Sequence, residues 1–421
     1  MKRFIVTGIR KTLCLVSAVV SLTATVASSA PAEPQAPAEI KIGFLNSITG
    51  LGATAGQQML KGMNLALDQY NHKMAGHDVR LLVEDDESSP TKAIVRFRKL
   101  VDQDHVDLIC GMYFSTVAYA AAPLADKEHI PCIVGISGAD NLTQRKASHW
   151  VLRTSFTASQ STHPFGEYAA KILHYKRIIT VGVDYGYGHE SVGGFQTGFE
   201  KSGGQVVQKL WLSMDSKDFT PLIKQMRKDA DAVFMSTSGQ AADIFPKQYN
   251  LVGPKLPVIA SSTSCDESSF SKVGLNLIDV QSTGVYSTAL DTAANSAFVK
   301  QYSAKYNEDP GFYSECGYVC GMWIKKAVES LKGNTNDKEK LLAALRKVEL
   351  SNAPRGPIKL DEYGNPIENV YIRKVASVNG RLQNTVIKTY PKVSQFWKST
   401  PAEYLANPPY SKEYPPCTHC N

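Results

Sequence analysis

The sequence lacks the short motifs that would assign it to common enzyme classes. It has no Walker-type phosphate loop, no H-E-x-x-H metalloprotease motif and no G-x-S-x-G nucleophile motif. Its nine histidines are scattered from His72 to His419 and form no metal-ligand spacing within one predicted element. We therefore expect that the protein is not an enzyme and uses neither a metal ion nor another cofactor.

Long apolar runs are also scarce. One run, Thr12–Val26, follows four basic residues and precedes the small-residue sequence Ala30–Ala32. It is too short to span a membrane, which takes about 20 apolar residues. The order of basic, apolar and small segments is typical of a cleaved secretory signal peptide. We expect a signal peptide at residues 1–32, a short leader at 33–39, and a mature protein in the periplasm.

The excess of positive charge is small and unclustered. The formal net charge of +7 includes the four basic residues of the predicted signal peptide, which leaves about +3 on the mature chain with no basic block. A nucleic-acid partner would need a basic patch, so we expect none. The remaining length of about 385 residues, with 43% hydrophobic residues overall, favours two domains over one.

Cysteine is sparse, with eight residues, of which seven follow the signal peptide. Cys417 and Cys420 lie three positions apart in a Pro-rich tail. We expect a disulfide there, either within the tail or to the body, in preference to a metal half-site or a redox motif. Cys316 and Cys320 lie in a predicted helix and are expected to be packing residues.

Two short motifs have ordinary explanations. Residues 50–55 match the dinucleotide-binding pattern G-x-G-x-x-A, but the loop before them is long for that turn. The acidic run Asp85–Glu87 follows a predicted strand, and we expect it to be a solvated loop.

Strand and helix patterns alternate along the mature chain and predict an α/β protein with two doubly wound parallel-sheet lobes. An antiparallel pair, Asn369–Ser377 and Arg381–Thr389, closes the pattern around an Asn-Gly turn. The other predicted strands are Ile40–Leu45, Val79–Val83, Leu108–Cys110, Cys132–Gly135, Trp150–Thr154, Ile178–Val183, Val206–Leu212, Ala232–Ser236, Val258–Ser261 and Gly284–Ser287. The predicted helices are Gln57–His72, Thr91–Asp104, Val117–Lys127, Gly166–His174, Glu190–Ser202, Pro221–Lys228, Ala241–Leu251, Ser296–Tyr306, Glu315–Leu331 and Lys338–Val348.

The junction after the third strand is the most informative segment. A buried strand stops at Gly111, and Ser115 and Thr116 then open an alanine-rich helix. The helix N-terminus offers free N–H groups and about half a positive charge. The alternative is an ordinary capped junction. Because the carboxyl ends of both sheets should face one cleft, we expect a small carboxylate to bind here.

The order of motifs resembles the solute-binding proteins of bacterial ABC importers, specifically the branched-chain amino-acid-type group with the type I periplasmic-binding fold. The residues that carry the resemblance are Ile40–Phe44, Thr49–Gly50, Ile109–Gly111, Ser115, Asp184–Gly188, Lys217–Phe219, Tyr318, Arg355–Pro357, Gly364–Asn365 and Asn369–Arg373. The ending Pro391–Trp397 and the Pro-rich tail resemble the subset associated with aromatic acids.

The resemblance implies three hinge crossovers between the lobes. Lobe 1 would comprise residues 40–158 and 286–360, and lobe 2 residues 159–285 and 361–392. Residues 393–421 would form the C-terminal tail. It also implies a monomer that passes a small carboxylate ligand to a membrane permease.

The family's ligand site is carried over residue by residue. The carboxylate would bind at Ser115 and Thr116 and at the loop that contains Ile136, Ser137 and Gly138. The other ligand-binding residues would be Tyr185, Tyr187, Gly239, Gln240, Ser262, Thr263 and Tyr286.

Two departures from the family pattern concern the ligand. Amino-acid binders usually present an acidic side chain from the loop that here reads Ser262–Ser264, and often an aromatic residue at Ala55. Without a counter-charge an ammonium group is costly to bury. We therefore expect an aromatic carboxylate, such as a benzoate or a hydroxycinnamate, although Asp266 or Glu315 could supply the charge. The alternatives are a branched-chain or other aliphatic amino acid, or a ligand-sensing receptor module.

Overall fold

The computed structural model describes residues 1–5, 7–9 and 37–420. The predicted signal peptide and leader lie largely outside the described residues. Residues 37–420 lie within one compact unit.

The described residues form fifteen strands: β1 (Glu39–Asn46), β2 (Lys73–Met74), β3 (His77–Asp85), β4 (Leu108–Gly111), β5 (Cys132–Val134), β6 (Val151–Arg153), β7 (Arg177–Val183), β8 (Gln205–Leu212), β9 (Ala232–Ser236), β10 (Val258–Ala260), β11 (Gln281–Gly284), β12 (Glu349–Ala353), β13 (Gly356–Leu360), β14 (Pro366–Val378) and β15 (Arg381–Val393).

The described α-helices are α1 (Ala53–Gln69), α2 (Pro90–Arg98), α3 (Ser115–Glu128), α4 (Ala158–Lys171), α5 (Gly186–Glu200), α6 (Thr220–Lys224), α7 (Gln240–Val252), α8 (Phe270–Val273), α9 (Ala293–Tyr306), α10 (Phe312–Ser330), α11 (Lys338–Arg346) and α12 (Pro401–Leu405).

The first sheet has the strand order β2-β3-β1-β4-β5-β6 and is parallel except for the short β2. Its central strand β1 is an almost continuous apolar run, as expected for a strand covered on both faces. Phe44 pairs with Val83 on one side and Cys110 on the other, which sets the register of the sheet. The carboxyl ends of β1, β4 and β5 therefore meet at one edge.

The second sheet has the order β12-β13-β14-β11-β10-β9-β7-β8, with β15 paired to β14. Strands β7 to β11 are parallel, whereas β12 to β15 are antiparallel. The two-lobed α/β prediction is confirmed, as is the closing hairpin, whose turn residues Asn379 and Gly380 both have positive φ. Strands β12 and β13 were not predicted, and both are short and buried at only a few positions.

Helices α9, α10 and α11 follow β11 in the chain, yet α10 packs against α1 beside the first sheet. The contact is close: a Cβ atom at Gly62 would lie 1.8 Å from the carbonyl oxygen of Ser314, and one at Gly317 would lie 2.0 Å from that of Met59. The chain therefore returns to the first sheet after building most of the second. The lobe boundaries inferred from the resemblance stay a prediction.

Residues 394–420 fold back over α4 and α5. Cys417 and Cys420 form a disulfide within this tail, one of the two pairings left open by the sequence. The free cysteines of the described chain, Cys110, Cys132, Cys265, Cys316 and Cys320, are all buried.

Several local predictions are wrong. The strand predicted at Gly284–Ser287 lies earlier, as β11 at Gln281–Gly284, and the helix predicted to begin at Gly166 begins at Ala158. Asp86 is fully buried, not solvated, because its Oδ1 accepts hydrogen bonds from the Ser47 hydroxyl at 2.6 Å and the backbone N–H of Ser88 at 2.7 Å. The acidic run thus anchors the loop that leads into α1.

Helix α6 ends at Lys224, four residues before the predicted end, where the chain turns toward β9.

Candidate ligand-binding site

The junction between β4 and α3 places Ser115 at the edge of the cleft. Gly111 ends the strand with φ of 125°, and a Cβ atom there would lie 2.2 Å from the carbonyl oxygen of Leu45, so only glycine fits. Helix α3 then begins at Ser115 itself, with Phe114 as the N-cap residue. The Ser115 hydroxyl is buried and has no hydrogen-bond partner among the described residues. It is therefore not a capping group.

Among the residues predicted to bind ligand, two further buried hydroxyls share this property. Neither Ser262 Oγ nor the Tyr286 hydroxyl has a partner within the described chain. Both belong to the set of residues predicted from the sequence to bind ligand. A buried hydroxyl without a partner costs about 1–3 kcal/mol, which a ligand oxygen or proton would recover.

The tyrosines of the second lobe face this junction. Gly186 opens α5 close to Ser115, since a Cβ atom on it would lie 3.6 Å from Ser115 Cβ. The Tyr185 hydroxyl lies 2.9 Å from Ser238 Oγ, and its ring meets the Phe114 ring edge-on at 5.7 Å. Tyr187 accepts a hydrogen bond from Thr263 Oγ1 at 2.7 Å. Burial raises the pKa of both tyrosines, so the hydroxyls remain protonated at neutral pH.

The loop after β5 completes the first-lobe side. Arg153 is fully buried and donates to the carbonyl oxygens of Ser137 and Ala139, the latter at 2.6 Å. Its pKa is lowered to about 10 by burial, but it stays charged. A Cβ atom at Gly138 would lie 3.0 Å from the Tyr187 ring, so glycine lets the two lobes approach.

Tyr113 and Tyr313 are cleft residues that the predicted ligand set omitted. The Tyr113 hydroxyl accepts a hydrogen bond from the backbone N–H of Gly239 at 3.0 Å and lies 3.5 Å from the Tyr313 hydroxyl. Tyr113 directly follows a strand end, and this position was the available sequence signal. Tyr313 gave no such signal, because α10 arrives from a distant part of the chain.

A cavity of about 180 Å³ lies at the mouth of this cleft. Ala55 and the N-terminal turn of α1 line it from the first lobe, and Gly239 and Gln240 line it from the second. The small side chain of Ala55 leaves this space open.

The structure thus brings together eight of the predicted ligand residues: Ser115, Ser137, Gly138, Tyr185, Tyr187, Gly239, Gln240 and Thr263. Ile136 and Ser262 are buried next to them in the chain. Tyr286 is buried behind them, and Arg373 donates to the carbonyl oxygens of both Tyr286 and Ser262, at 2.7 and 3.5 Å. The side chain of Thr116 is exposed, so it would meet a ligand through its backbone N–H.

The two carboxylates proposed as counter-charges are already engaged. Asp266 accepts from the backbone N–H of Phe312 at 2.7 Å and from that of Ser268 at 3.0 Å. Glu315 receives two hydrogen bonds from the Nε of Arg355, at 3.0 and 2.8 Å, and another from its Nη2. Burial raises the pKa of both acids.

Two other carboxylates approach the cleft and are engaged as well. Asp243 pairs with Lys272 at 3.0 Å. Glu190 accepts from the Tyr119 hydroxyl at 3.1 Å and from the backbone N–H of Asp140 at 3.0 Å. Each of these four acids therefore has partners within the protein, whereas one carboxylate oxygen of Asp140 and one of Glu267 are buried without a hydrogen-bond partner among the described residues.

Within residues 1–5, 7–9 and 37–420, no group of three or more His, Cys, Asp or Glu is arranged to hold a metal ion. No helix in the same ranges combines the length and the apolar character needed to cross a membrane.

Comparison with known proteins agrees with this geometry. A family profile described as "Periplasmic binding protein" matches residues 39–380. A solute-binding protein of an ABC transporter from Rhodopseudomonas palustris BisB5, solved with 3,4-dihydroxybenzoic acid, is 30% identical with a TM-score of 0.81, covering 85% of this chain and 99% of that chain. Another from R. palustris, solved with 4-hydroxybenzoate, is 28% identical with a TM-score of 0.80, covering 85% and 98%.

Among curated proteins, Leu/Ile/Val-binding protein homolog 6 of Brucella abortus (strain 2308) is 26% identical over 382 residues, or 89% of this chain and 97% of the relative. These relatives are transport proteins that bind solutes, and the periplasmic-binding family works outside the cytoplasm. Because the profile spans most of the chain and the solved relatives share its two-lobed fold, the chain belongs to the periplasmic binding protein family, as a substrate-binding protein of an ABC transporter.

Proposed function

We propose that the cleft captures a small aromatic carboxylate and that the closed protein delivers it to a membrane permease. The observation that carries this proposal is that buried hydroxyls without partners lie beside the two acids proposed as counter-charges, and both of these acids are engaged. The hydroxyls of Ser115 and Ser262 have no hydrogen-bond partner among the described residues, whereas Asp266 and Glu315 are bonded within the protein.

The carboxylate end of the ligand would lie at Ser115. This residue combines a free hydroxyl with the positive end of a fourteen-residue helix. Charge-assisted hydrogen bonds of this kind are worth about 1.5–3 kcal/mol each. An α-ammonium group on the same ligand would need a free carboxylate, and burying it without one is unfavourable.

The body of the ligand would lie between aromatic rings. Phe114 and Tyr185 already meet edge-on at 5.7 Å, and Tyr185 and Tyr187 lie 6.3 Å apart. Aromatic groups in this range gain about 0.5–1.5 kcal/mol beyond the area that they bury. Ala55 adds the room that a flat ring needs.

The solved relatives support the same ligand class. Two proteins about 30% identical to this chain were solved with 3,4-dihydroxybenzoic acid and 4-hydroxybenzoate. The curated relatives named for Leu, Ile and Val favour the second candidate, an aliphatic amino acid. An amino-acid ligand would require Asp266 or Glu315 to give up a hydrogen bond within the protein and to bind the ammonium group of the ligand instead.

The remaining parts of the proposal concern the transport cycle. Residues 40–158 and 286–360 would form one lobe, and residues 159–285 and 361–392 would form the other. The two lobes would open and close by hinge motion at the three crossovers that connect them. Ligand contacts from both lobes favour the closed state. The protein would work as a monomer in the periplasm after removal of residues 1–32.

A pair of ligands that differ by one group tests the proposal. Phenylacetate and phenylglycine share a ring and a carboxylate, and only phenylglycine carries an α-ammonium group. We expect calorimetric titration to show phenylacetate binding at least about tenfold more tightly. Equal or tighter binding of phenylglycine would show that an acid in the cleft is available, and the amino-acid candidate would replace the aromatic-acid one.

A further inference from the structure

A second cavity, of about 290 Å³, lies beneath the C-terminal tail, and none of the cleft residues lines it. Helices α4 and α5 form one side, and residues 396–414 form the other. Its volume is close to the lower end of the range for small-molecule sites, roughly 300–1,000 Å³. One small molecule would therefore fill it.

The tail is fixed on the two helices by specific contacts. The Tyr410 ring lies on Gly193, where a Cβ atom would stand 2.4 Å from the ring. The Tyr410 hydroxyl donates to Thr197 Oγ1 at 3.0 Å and lies 2.8 Å from Nε2 of the buried His163. Burial lowers the pKa of His163 to about 3, so this imidazole is neutral. The cavity wall is thus preformed.

Aromatic rings dominate the tail side of this cavity. The Tyr404 ring meets Phe396 edge-on at 5.4 Å, and Tyr410 stacks on Tyr414 at 6.2 Å. Trp397 also lines the cavity, with the ammonium group of Lys398 5.1 Å from its ring centre. Such a wall suits a flat aromatic molecule.

The charges around the cavity are unbalanced. Arg145, Lys171, Lys201 and Lys398 line it together with one carboxylate, Glu167. Glu167 is shared by Lys171 at 3.2 Å and Lys398 at 2.6 Å.

The other two cations form no ion pair among the described residues, although Lys201 is one of the groups that lower the pKa of Glu403 in α12. Arg145 bonds only neutral oxygens, including the carbonyl oxygens of Tyr404 at 3.2 Å and Asn407 at 2.5 Å. Lys201 extends from the C-terminal end of α5 and is exposed. An anion in this cavity would meet positive charge from both sides.

We propose that this cavity is a second binding site, separate from the cleft, for a small aromatic carboxylate. The aromatic wall of the tail contacts the ring, and Arg145 and Lys201 attract the carboxylate. The site depends on the tail as well as on the lobes, because residues 396–414 form one of its two sides.

The test is a ¹⁹F NMR titration of the exported protein with 4-fluorobenzoate. We expect Lys201→Glu to weaken binding about fivefold in one of the binding phases, the one that belongs to this cavity, because the variant loses a positive charge that attracts the carboxylate. Ser399→Trp, which fills the cavity, should abolish the same phase. Neutral 4-fluorobenzyl alcohol should bind there about tenfold more weakly.

Lys224→Glu is the matched control, because it makes the same charge change on an exposed lysine of α6 outside the cavity. Circular dichroism checks that each variant is folded. The proposal would be overturned if Lys201→Glu and Ser399→Trp both left the titration unchanged. It would also be overturned if 4-fluorobenzyl alcohol bound as tightly as 4-fluorobenzoate. Ser115→Ala reports on the cleft alone, so the failure of one site is distinguishable from that of the other.

Discussion

The hydroxyl group of Tyr113 accepts a hydrogen bond from the backbone N–H of Gly239 at 3.0 Å, and this bond joins the two lobes across the cleft. Tyr113 follows β4 of the first sheet, and Gly239 precedes α7 beside the second. Tyr113 is buried at this contact. Under the proposed opening and closing of the lobes, the bond would form only in the closed state and would link closure to ligand capture.

Tyr113→Phe should weaken ligand binding by removing this contact from the closed state. A neutral hydrogen bond is worth about 0.5–1.5 kcal/mol, which corresponds to a loss of roughly two- to tenfold in affinity. Calorimetric titration measures it. Tyr249→Phe is the control, because it removes a hydroxyl that bonds Leu256 within one lobe. Unchanged affinity in Tyr113→Phe would mean that the pair plays no part in closure.

Ser115→Ala should lower affinity for a carboxylate ligand at least about tenfold, through the loss of one charge-assisted hydrogen bond. It should not lower the melting temperature of the free protein, because the hydroxyl has no partner there. Ser89→Ala is predicted to do the reverse. Ser89 caps α2 by accepting from the N–H of Lys92, so its loss reduces stability and leaves affinity unchanged. Equal behaviour of the two variants would refute the assignment of Ser115.

Stability should fall as pH rises from about 4 to 6, in part through Asp140. Burial raises the pKa of this acid to about 6 from its usual value near 3.8. Glu190, whose pKa is also raised, Arg153 and the N–H of Ser159 face it. Between the two values the folded protein holds a proton that the unfolded chain has released, so raising the pH favours unfolding.

Asp140→Asn keeps an oxygen acceptor for Ser159 but does not titrate. Melting temperatures measured between pH 4 and 8 should therefore fall less steeply in this variant than in the wild type. An equally steep fall would assign the pH dependence to other groups.

Gly193→Ala should loosen the tail, because the added Cβ atom would stand 2.4 Å from the Tyr410 ring. We expect faster hydrogen exchange in residues 404–414 and a lower melting temperature, by an amount typical of overpacking, about 1–3 kcal/mol. The double variant with Tyr410→Ala isolates the clash, because the ring that the added Cβ atom meets is then absent. The loss of stability in the double variant should be smaller than the sum of the losses in the two single variants. Strict additivity would contradict the contact.

Much of the fold is local in sequence and was predicted. The buried run Ile40–Leu45 and the Asn-Gly turn at 379–380 are patterns that neighbouring residues specify by themselves. Ser115 could also be found, because it lies where a strand ends and a helix begins. Strands β12 and β13 were missed, since both are short and mostly outside the core, which leaves little alternation to detect.

The rest depends on contacts between distant segments. Tyr313 lies in the cleft beside Tyr113, although 200 positions separate the two residues in the chain. Asp266 accepts a hydrogen bond from a backbone N–H at the start of α10, so this carboxylate is already engaged. Asp86 is buried where it accepts a hydrogen bond from the hydroxyl of Ser47, 39 positions earlier in the chain. The sequence alone shows the type of each residue but not its partner, so the availability of the cleft acids could be judged only in the folded protein.

The most direct test of the account is a calorimetric comparison of 4-hydroxybenzoate with leucine on the exported wild-type protein. Leucine carries an ammonium group and no ring, whereas 4-hydroxybenzoate carries a ring and no ammonium group. The account predicts saturable binding of 4-hydroxybenzoate, abolished or strongly weakened by Ser115→Ala, and no comparable binding of leucine. Tight binding of leucine with none of 4-hydroxybenzoate would contradict the assignment of the cleft to aromatic carboxylates.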